Sequence, residues 1–215
     1  LHLVSEGVSV ERIDRLMEGF GMPLGPLSLA DEVGLDVGYK VCEVLESGYG
    51  QRMAISSFFK QLMTDTQYLG KKSGAGFYVY QNGRKKVNHD LLSVAQSVSS
   101  GARQTVTDSD IIDRLILIMV NEAARCVEES VVSSVSYLDM AFIMGTGFPP
   151  FRGGLLKYAD QRGLQNIVSR LTHLAMECGA RFQASSYLSQ KSESSETFYQ
   201  DRVELNTVQT VGVAS

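Results

Sequence analysis

One hexapeptide pattern occurs twice in this chain, 129 residues apart. Ala30-Asp31-Glu32-Val33-Gly34-Leu35 and Ala159-Asp160-Gln161-Arg162-Gly163-Leu164 both read A-D-x-x-G-L. Each copy follows a Gly/Pro turn. The first is Gly19-Phe20-Gly21-Met22-Pro23-Leu24-Gly25-Pro26; the second is Gly145-Thr146-Gly147-Phe148-Pro149-Pro150 with Gly153-Gly154. Upstream of each turn an apolar stretch carries one aspartate, Asp14 or Asp139. Solenoid units run to about 20–50 residues, so this spacing marks a duplicated domain. Two copies of one small helical unit can bury a face against each other.

A chain of 215 residues has room for one or two domains, and 44% hydrophobic with 20% charged residues is ordinary for a folded protein. A net charge of −4 and a pI near 5.4 argue against nucleic acid or an anionic membrane as the main partner. The basic clusters Lys71-Lys72 and Arg84-Lys85-Lys86 are short and read as solvated loops. Cys42, Cys126 and Cys178 are odd in number and far apart, which indicates neither a disulfide framework nor a zinc site. The longest apolar run, Leu115–Val120, is too short to span a bilayer. The sequence opens at Leu1 in mid-pattern, and the expectation is a piece of a longer polypeptide.

Helical patterns are expected over Val10–Phe20 after the cap Ser9, over Leu27–Val33 after Pro26, and over Val37–Leu45 and Met53–Leu62. Phe77–Tyr80 reads as the one credible strand, followed by a tight Asn82-Gly83 turn. Residues 84–108 read as a polar linker with one helical patch at Asp90–Val98 and a Ser/Gly-rich stretch at Ser97–Ala102. Thr107-Asp108-Ser109-Asp110 caps a long central helix, Ile111–Glu129, and Leu138–Met144 and Leu164–Leu174 supply further helices. Ser192–Thr197 and the tail read as weakly ordered. The division is a first repeat 1–83, a linker 84–108, a second repeat 109–200 and a flexible tail 201–215. The fold class is mainly α, two helical repeats packed together.

No catalytic constellation emerges. Gly19-Phe20-Gly21, Gly74-Ala75-Gly76 and Gly145-Thr146-Gly147 do not extend to G-x-G-x-x-G and do not join a strand to a helix, so they read as turn glycines. His2, His89 and His173 show no metal-ligand spacing. Glu128-Glu129 and Asp108/Asp110 fall at helix ends. Asp31 and Asp160 are expected to fix their turns by bonding neighbouring backbone. Asn121 and Glu122, polar residues in the most apolar helix, are expected to bond across the repeat interface, with a substrate contact as the other reading. The sequence assigns no catalytic, cofactor-binding or metal residue.

These motifs resemble the C-terminal half of 3-hydroxyacyl-CoA dehydrogenase, in the duplicated form of the multifunctional fatty-acid oxidation proteins. Ile13-Asp14, Gly21–Pro26 and Asp31–Asp36 resemble the family's first repeat, and Leu69–Tyr78 resembles its G-K-K-S/T-G-x-G-F-Y segment. Val120–Ala123, Arg125-Cys126 and Gly147–Gly154 resemble the second repeat of the multifunctional proteins. Phe198-Tyr199-Gln200 is similar to the branch formed by the alpha subunits of mitochondrial trifunctional protein.

The resemblance implies a 6-phosphogluconate dehydrogenase C-terminal-like fold with pseudo-twofold-related repeats that imitate a dimer, and no Rossmann domain in this chain. It implies a parent enzyme that oxidises 3-hydroxyacyl-CoA with NAD and hydrates enoyl-CoA. In that parent, acyl-CoA lies in a cleft walled by the first repeat, next to upstream Rossmann and hydratase domains. A thiolase subunit is the implied partner, and the mitochondrion, or alternatively the peroxisome, the implied location. No NAD is expected on this piece. The family's active-site Asn-Arg dipeptide has Asp113-Arg114 at the corresponding place in the second repeat, which therefore reads as silent. The alternative is a stand-alone helical interaction or acyl-CoA-binding module.

Overall fold

The computed structural model describes residues 1–64, 67–98 and 106–199. The expected tail 201–215 and the Ser99–Ala102 part of the linker lie outside them. The described chain is helical apart from one hairpin. Its elements are α1 (His2–Ser5), α2 (Val10–Phe20), α3 (Pro26–Val33), α4 (Leu35–Tyr49), α5 (Ser57–Leu62), β1 (Tyr78–Gln81), β2 (Arg84–Val87) and α6 (His89–Val98). Then follow α7 (Asp108–Glu128), α8 (Val135–Thr146), α9 (Leu155–Arg162), α10 (Leu164–Cys178) and α11 (Ser186–Glu193), with short 3₁₀ turns at Gly50–Met53 and Ala180–Phe182.

Local chemistry sets the ends of these elements. Ser9 accepts the Arg12 amide to cap α2, Ser56 the Phe59 amide to cap α5, and Ser185 the Leu188 amide to cap α11. Thr107 and Asp110 form a reciprocal capping box on α7. Pro26 opens α3, where its missing N–H is not needed.

The duplication is legible element by element. α2 corresponds to α8, α3 to α9, α4 to α10, the 3₁₀ turn 50–53 to 180–182, and α5 to α11. From α3 to the cap of α5 the numbers differ by the same 129 as the hexapeptides. Two apolar cores form, one per repeat, and each borrows from the other. Met17 and Phe20 of α2 enter the second core, and Ile111 of α7 enters the first.

The contact between the two turns is reciprocal. A Cβ on Gly21 would stand 2.9 Å from Pro149, and one on Gly147 would stand 2.7 Å from Pro23. Both glycines have left-handed φ, 116° and 71°. Self-reciprocal contact of this kind is what a twofold relation produces. The two 3₁₀ turns also meet. Arg152, in the longer second turn, donates to the Phe20 carbonyl at 3.0 Å and lies 3.8 Å over the Phe20 ring, which packs edge-on to Phe148 and Tyr158.

The structure corrects three expectations. Among the described residues there are two strands, not one: Tyr78 pairs with Val87 and Gln81 with Arg84 across the Asn82-Gly83 turn. Residues 84–98 are not a linker but complete the first repeat, since Leu91 and Ala95 of α6 are fully buried in its core. Ser192–Thr197 is not loose: Ser192 is buried in α11, and the buried Lys191 donates to Glu196 at 3.1 Å and to the Thr197 carbonyl at 3.2 Å.

Candidate functional site

Each repeat is organised around two buried or half-buried aspartates. In the first, Asp14 accepts the Leu27 amide at 2.8 Å, the Ser28 amide at 3.0 Å, the Ser28 hydroxyl at 2.6 Å and the Tyr78 hydroxyl at 2.8 Å. Asp31 accepts the Phe77 and Tyr78 amides, both at 2.9 Å, and the Tyr80 hydroxyl at 3.0 Å. In the second, Asp139 accepts the Leu156 and Lys157 amides at 2.8 and 3.0 Å and the Tyr199 hydroxyl at 2.9 Å. Asp160 accepts the Phe198 and Tyr199 amides at 2.8 and 2.9 Å.

Phe77-Tyr78 and Phe198-Tyr199 are therefore the same dipeptide in the two repeats. The Asp31 and Asp160 carboxylates do bond backbone, but that of a remote segment and not of their own turn. Gly25, Gly154 and Gly76 leave the space filled by Asp14, Asp139 and Asp31. Burial drives the Asp31 carboxyl upward, against the amide bonds that favour its charged form. Burial also raises the Tyr78 hydroxyl, as does its bond to Asp14. Every carboxylate oxygen here holds at least one backbone amide. These groups brace the fold; none is free to act on a substrate.

A second cluster joins the repeats. Arg114 grips Glu6 through two bonds of 2.5 and 2.6 Å, and Arg52 reaches Glu122 at 2.8 Å and Glu129 at 2.9 Å. Burial works against the Glu6 carboxylate, but the bonds and charge of Arg114 together with Arg181 hold it below the usual range. Glu122 thus crosses the interface as expected. Asn121 does not: it donates to the Gln183 carbonyl and accepts the Ser185 amide, both at 2.8 Å and both within its own repeat. Asp113 is buried and bound by Arg162 at 2.7 Å and Arg170 at 2.9 Å. A residue locked between two guanidinium groups is a brace.

His173 bonds the carbonyl of its own helix at Ser169. His2 is lowered to about 4 by burial and by Arg181. No group of His, Cys, Asp and Glu among the described residues can hold a metal ion. Nor do the described residues offer a dinucleotide cradle. Gly19-Phe20-Gly21 and Gly145-Thr146-Gly147 end α2 and α8, and Gly76 lies against Asp31. An open groove of about 520 Å³ on the second repeat is lined by Val168, Thr172, Met176, Gln183 and Ser189, and its lining carries no acid, base or thiol.

Residues 1–80 match the family model for the C-terminal domain of 3-hydroxyacyl-CoA dehydrogenase. The chain is similar in structure to the dehydrogenase part of multifunctional enzyme 1 from C. elegans, at 26% identity and a TM-score of 0.62, over 86% of this chain and 42% of that one. It also shares its fold with 3-hydroxybutyryl-CoA dehydrogenase from Escherichia coli K12, at 22% identity and a TM-score of 0.68, over 86% of this chain and 55% of that one. The chain spans about half the length of these proteins. By sequence over its first repeat and by fold over most of its length, it is similar to 3-hydroxyacyl-CoA dehydrogenases, and the sequence match is to their C-terminal domain.

Proposed function

We propose that this chain is the duplicated C-terminal helical region of a multifunctional β-oxidation enzyme that oxidises 3-hydroxyacyl-CoA to 3-ketoacyl-CoA with NAD. The observation that carries the reading is the match of residues 1–80 to the dehydrogenase C-terminal domain, followed by a second copy built on the same aspartate frame. NAD supplies the hydride acceptor, and the residues described here do not fit it, so its site belongs to a preceding domain. This chain's part is to wall the acyl-CoA cleft with its first repeat and to close that repeat against its copy. A hydratase domain, a thiolase subunit and a mitochondrial setting complete the proposal, with the trifunctional alpha-subunit type as its most specific form.

The test is spectrophotometric. The purified chain, mixed with a 3-hydroxyacyl-CoA and NAD, is expected to produce no NADH. A longer polypeptide carrying the preceding domain is expected to produce it. Turnover by the chain alone sinks the proposal.

A further inference from the structure

The same Phe-Tyr dipeptide closes both repeats, but it is built into only one of them. In the first repeat Phe77 and Tyr78 are 0% and 4% exposed. Tyr78 pairs with Val87 in the hairpin, the Phe77 carbonyl accepts the Asn88 amide at 3.0 Å, and Asn88 Nδ2 donates to the Gly76 carbonyl at 2.9 Å. The chain then runs on into α6, whose Leu91 and Ala95 lie in the same core. This dipeptide is fixed from both sides.

In the second repeat the dipeptide lies on a strap, residues 194–199, that leaves α11. No strand pairs with it among the described residues. Ser195 takes a left-handed φ of 56°, a conformation that costs an L side chain energy. Lys191 holds the strap by Glu196 and the Thr197 carbonyl. Even so, a cavity of about 280 Å³ is lined by Ser195, Glu196 and Thr197 together with Gly163, Leu164 and Gln165 at the start of α10. Asp160 is half-buried, whereas Asp31 is fully buried.

The contacts that seat the strap read the chemistry of two residues in order. The two oxygens of Asp160 accept two successive amides, of Phe198 at 2.8 Å and Tyr199 at 2.9 Å. The Phe198 ring is buried beside Tyr187, with centroids 6.0 Å apart. The Tyr199 hydroxyl reaches Asp139 at 2.9 Å, and Lys157 stands 5.1 Å from the centre of its ring. The first repeat makes the same amide and hydroxyl contacts with Asp31 and Asp14. None of these contacts depends on the covalent link to α11.

We propose that Asp139, Lys157, Asp160 and Tyr187 form a peptide-recognition site for a Phe-Tyr segment. The chain's own strap occupies it, and the site takes the same segment from a separate polypeptide when the strap is out. Attachment to α11 gives the strap a high effective concentration, so exchange requires the strap to be displaced or altered. The inference stands apart from the enzymatic reading, since it uses only the contacts of the second repeat and their counterparts in the first.

The test uses the full chain carrying Phe198→Pro and Tyr199→Pro, which removes both amide donors and both rings. The probe is acetyl-Thr-Phe-Tyr-amide; its threonine keeps the hydroxyl that Thr197 gives to the Tyr199 carbonyl. At millimolar concentration the peptide is expected to raise the Tm of this variant and to leave the unaltered chain unchanged. The hydroxyl-free acetyl-Thr-Phe-Phe-amide is expected to bind about fivefold more weakly, the loss of one hydrogen bond. Adding Asp160→Asn to the variant leaves one acceptor oxygen for two amides and is expected to weaken binding about tenfold. If the variant does not fold alone, recovery of its helical circular dichroism only when refolded with the peptide upholds the site. Four results overturn it: no Tm rise or recovery with the peptide; an equal effect from the reversed acetyl-Thr-Tyr-Phe-amide; an equal effect with Asp160→Asn; or an equal rise in the unaltered chain, which would seat the peptide elsewhere.

Discussion

In the first repeat Asp14 gathers Leu27, Ser28 and Tyr78; in the second Asp139 gathers Leu156, Lys157 and Tyr199. The frames match almost bond for bond, but their outer faces differ. α2 turns Glu11, Arg15 and Glu18 outward, whereas α8 exposes Tyr137, Met140 and Met144. α10 buries four leucine or isoleucine side chains, whereas α4 buries only Leu35. The difference teaches that buried carboxylate–amide bonds set the backbone of this unit, while side-chain chemistry on the outside follows from what covers it.

The largest effect is expected from breaking the frame itself. Asp14→Ala leaves buried amides and two hydroxyls without an acceptor and should cost about 3–5 kcal/mol in urea unfolding, with Asp139→Ala costing less because it serves one donor fewer. The reverse order would break the equivalence of the two clamps. Next comes the covered face. Leu171→Ala should cost about 2–5 kcal/mol, and Cys42→Ala at the matching position less than about 1 kcal/mol. Equal costs would mean that α4 is as well packed as α10.

How far the sequence carried this comparison depends on the element. The paired Asp14/Asp139 and Asp31/Asp160 were legible because their distances to the Gly/Pro turns barely change. The helix α2 was legible to the residue, from its cap Ser9 to the apolar spacing of Val10, Ile13, Met17 and Phe20. Phe198-Tyr199 was not legible as the partner of Phe77-Tyr78, because the loop before it is shorter and lacks the Gly-rich lead-in. β2 was hidden because Arg84-Lys85-Lys86 has no apolar alternation; it is held by pairing with β1, by Lys85 on Ser28 at 2.6 Å and by Lys85 over the Tyr78 ring.

Smaller effects sharpen the picture. Tyr199→Phe removes one hydroxyl from Asp139 and should cost about 1 kcal/mol, as should Tyr78→Phe at Asp14. A large excess for Tyr78 would assign it a role beyond the clamp. The acid limb of stability should depend on Glu6. Its carboxyl is held below its ordinary 4.5, so its contribution is present above that value and is lost as pH falls through the lower folded one. Glu6→Gln should flatten the stability profile as pH falls below 4.5. An unchanged slope would remove the Arg114–Glu6 pair from the repeat interface. Asp31, raised by burial, contributes with the opposite sign and should not mask the change.

One helical unit thus occurs twice, with the same aspartate frame and unequal burial of its α4 and α10 faces. Amide hydrogen exchange along α4 and α10, which are equal in length and in register, tests it most directly. Amides in α10 are expected to exchange at least about tenfold more slowly than their counterparts in α4. Equal protection, or slower exchange in α4, would contradict it.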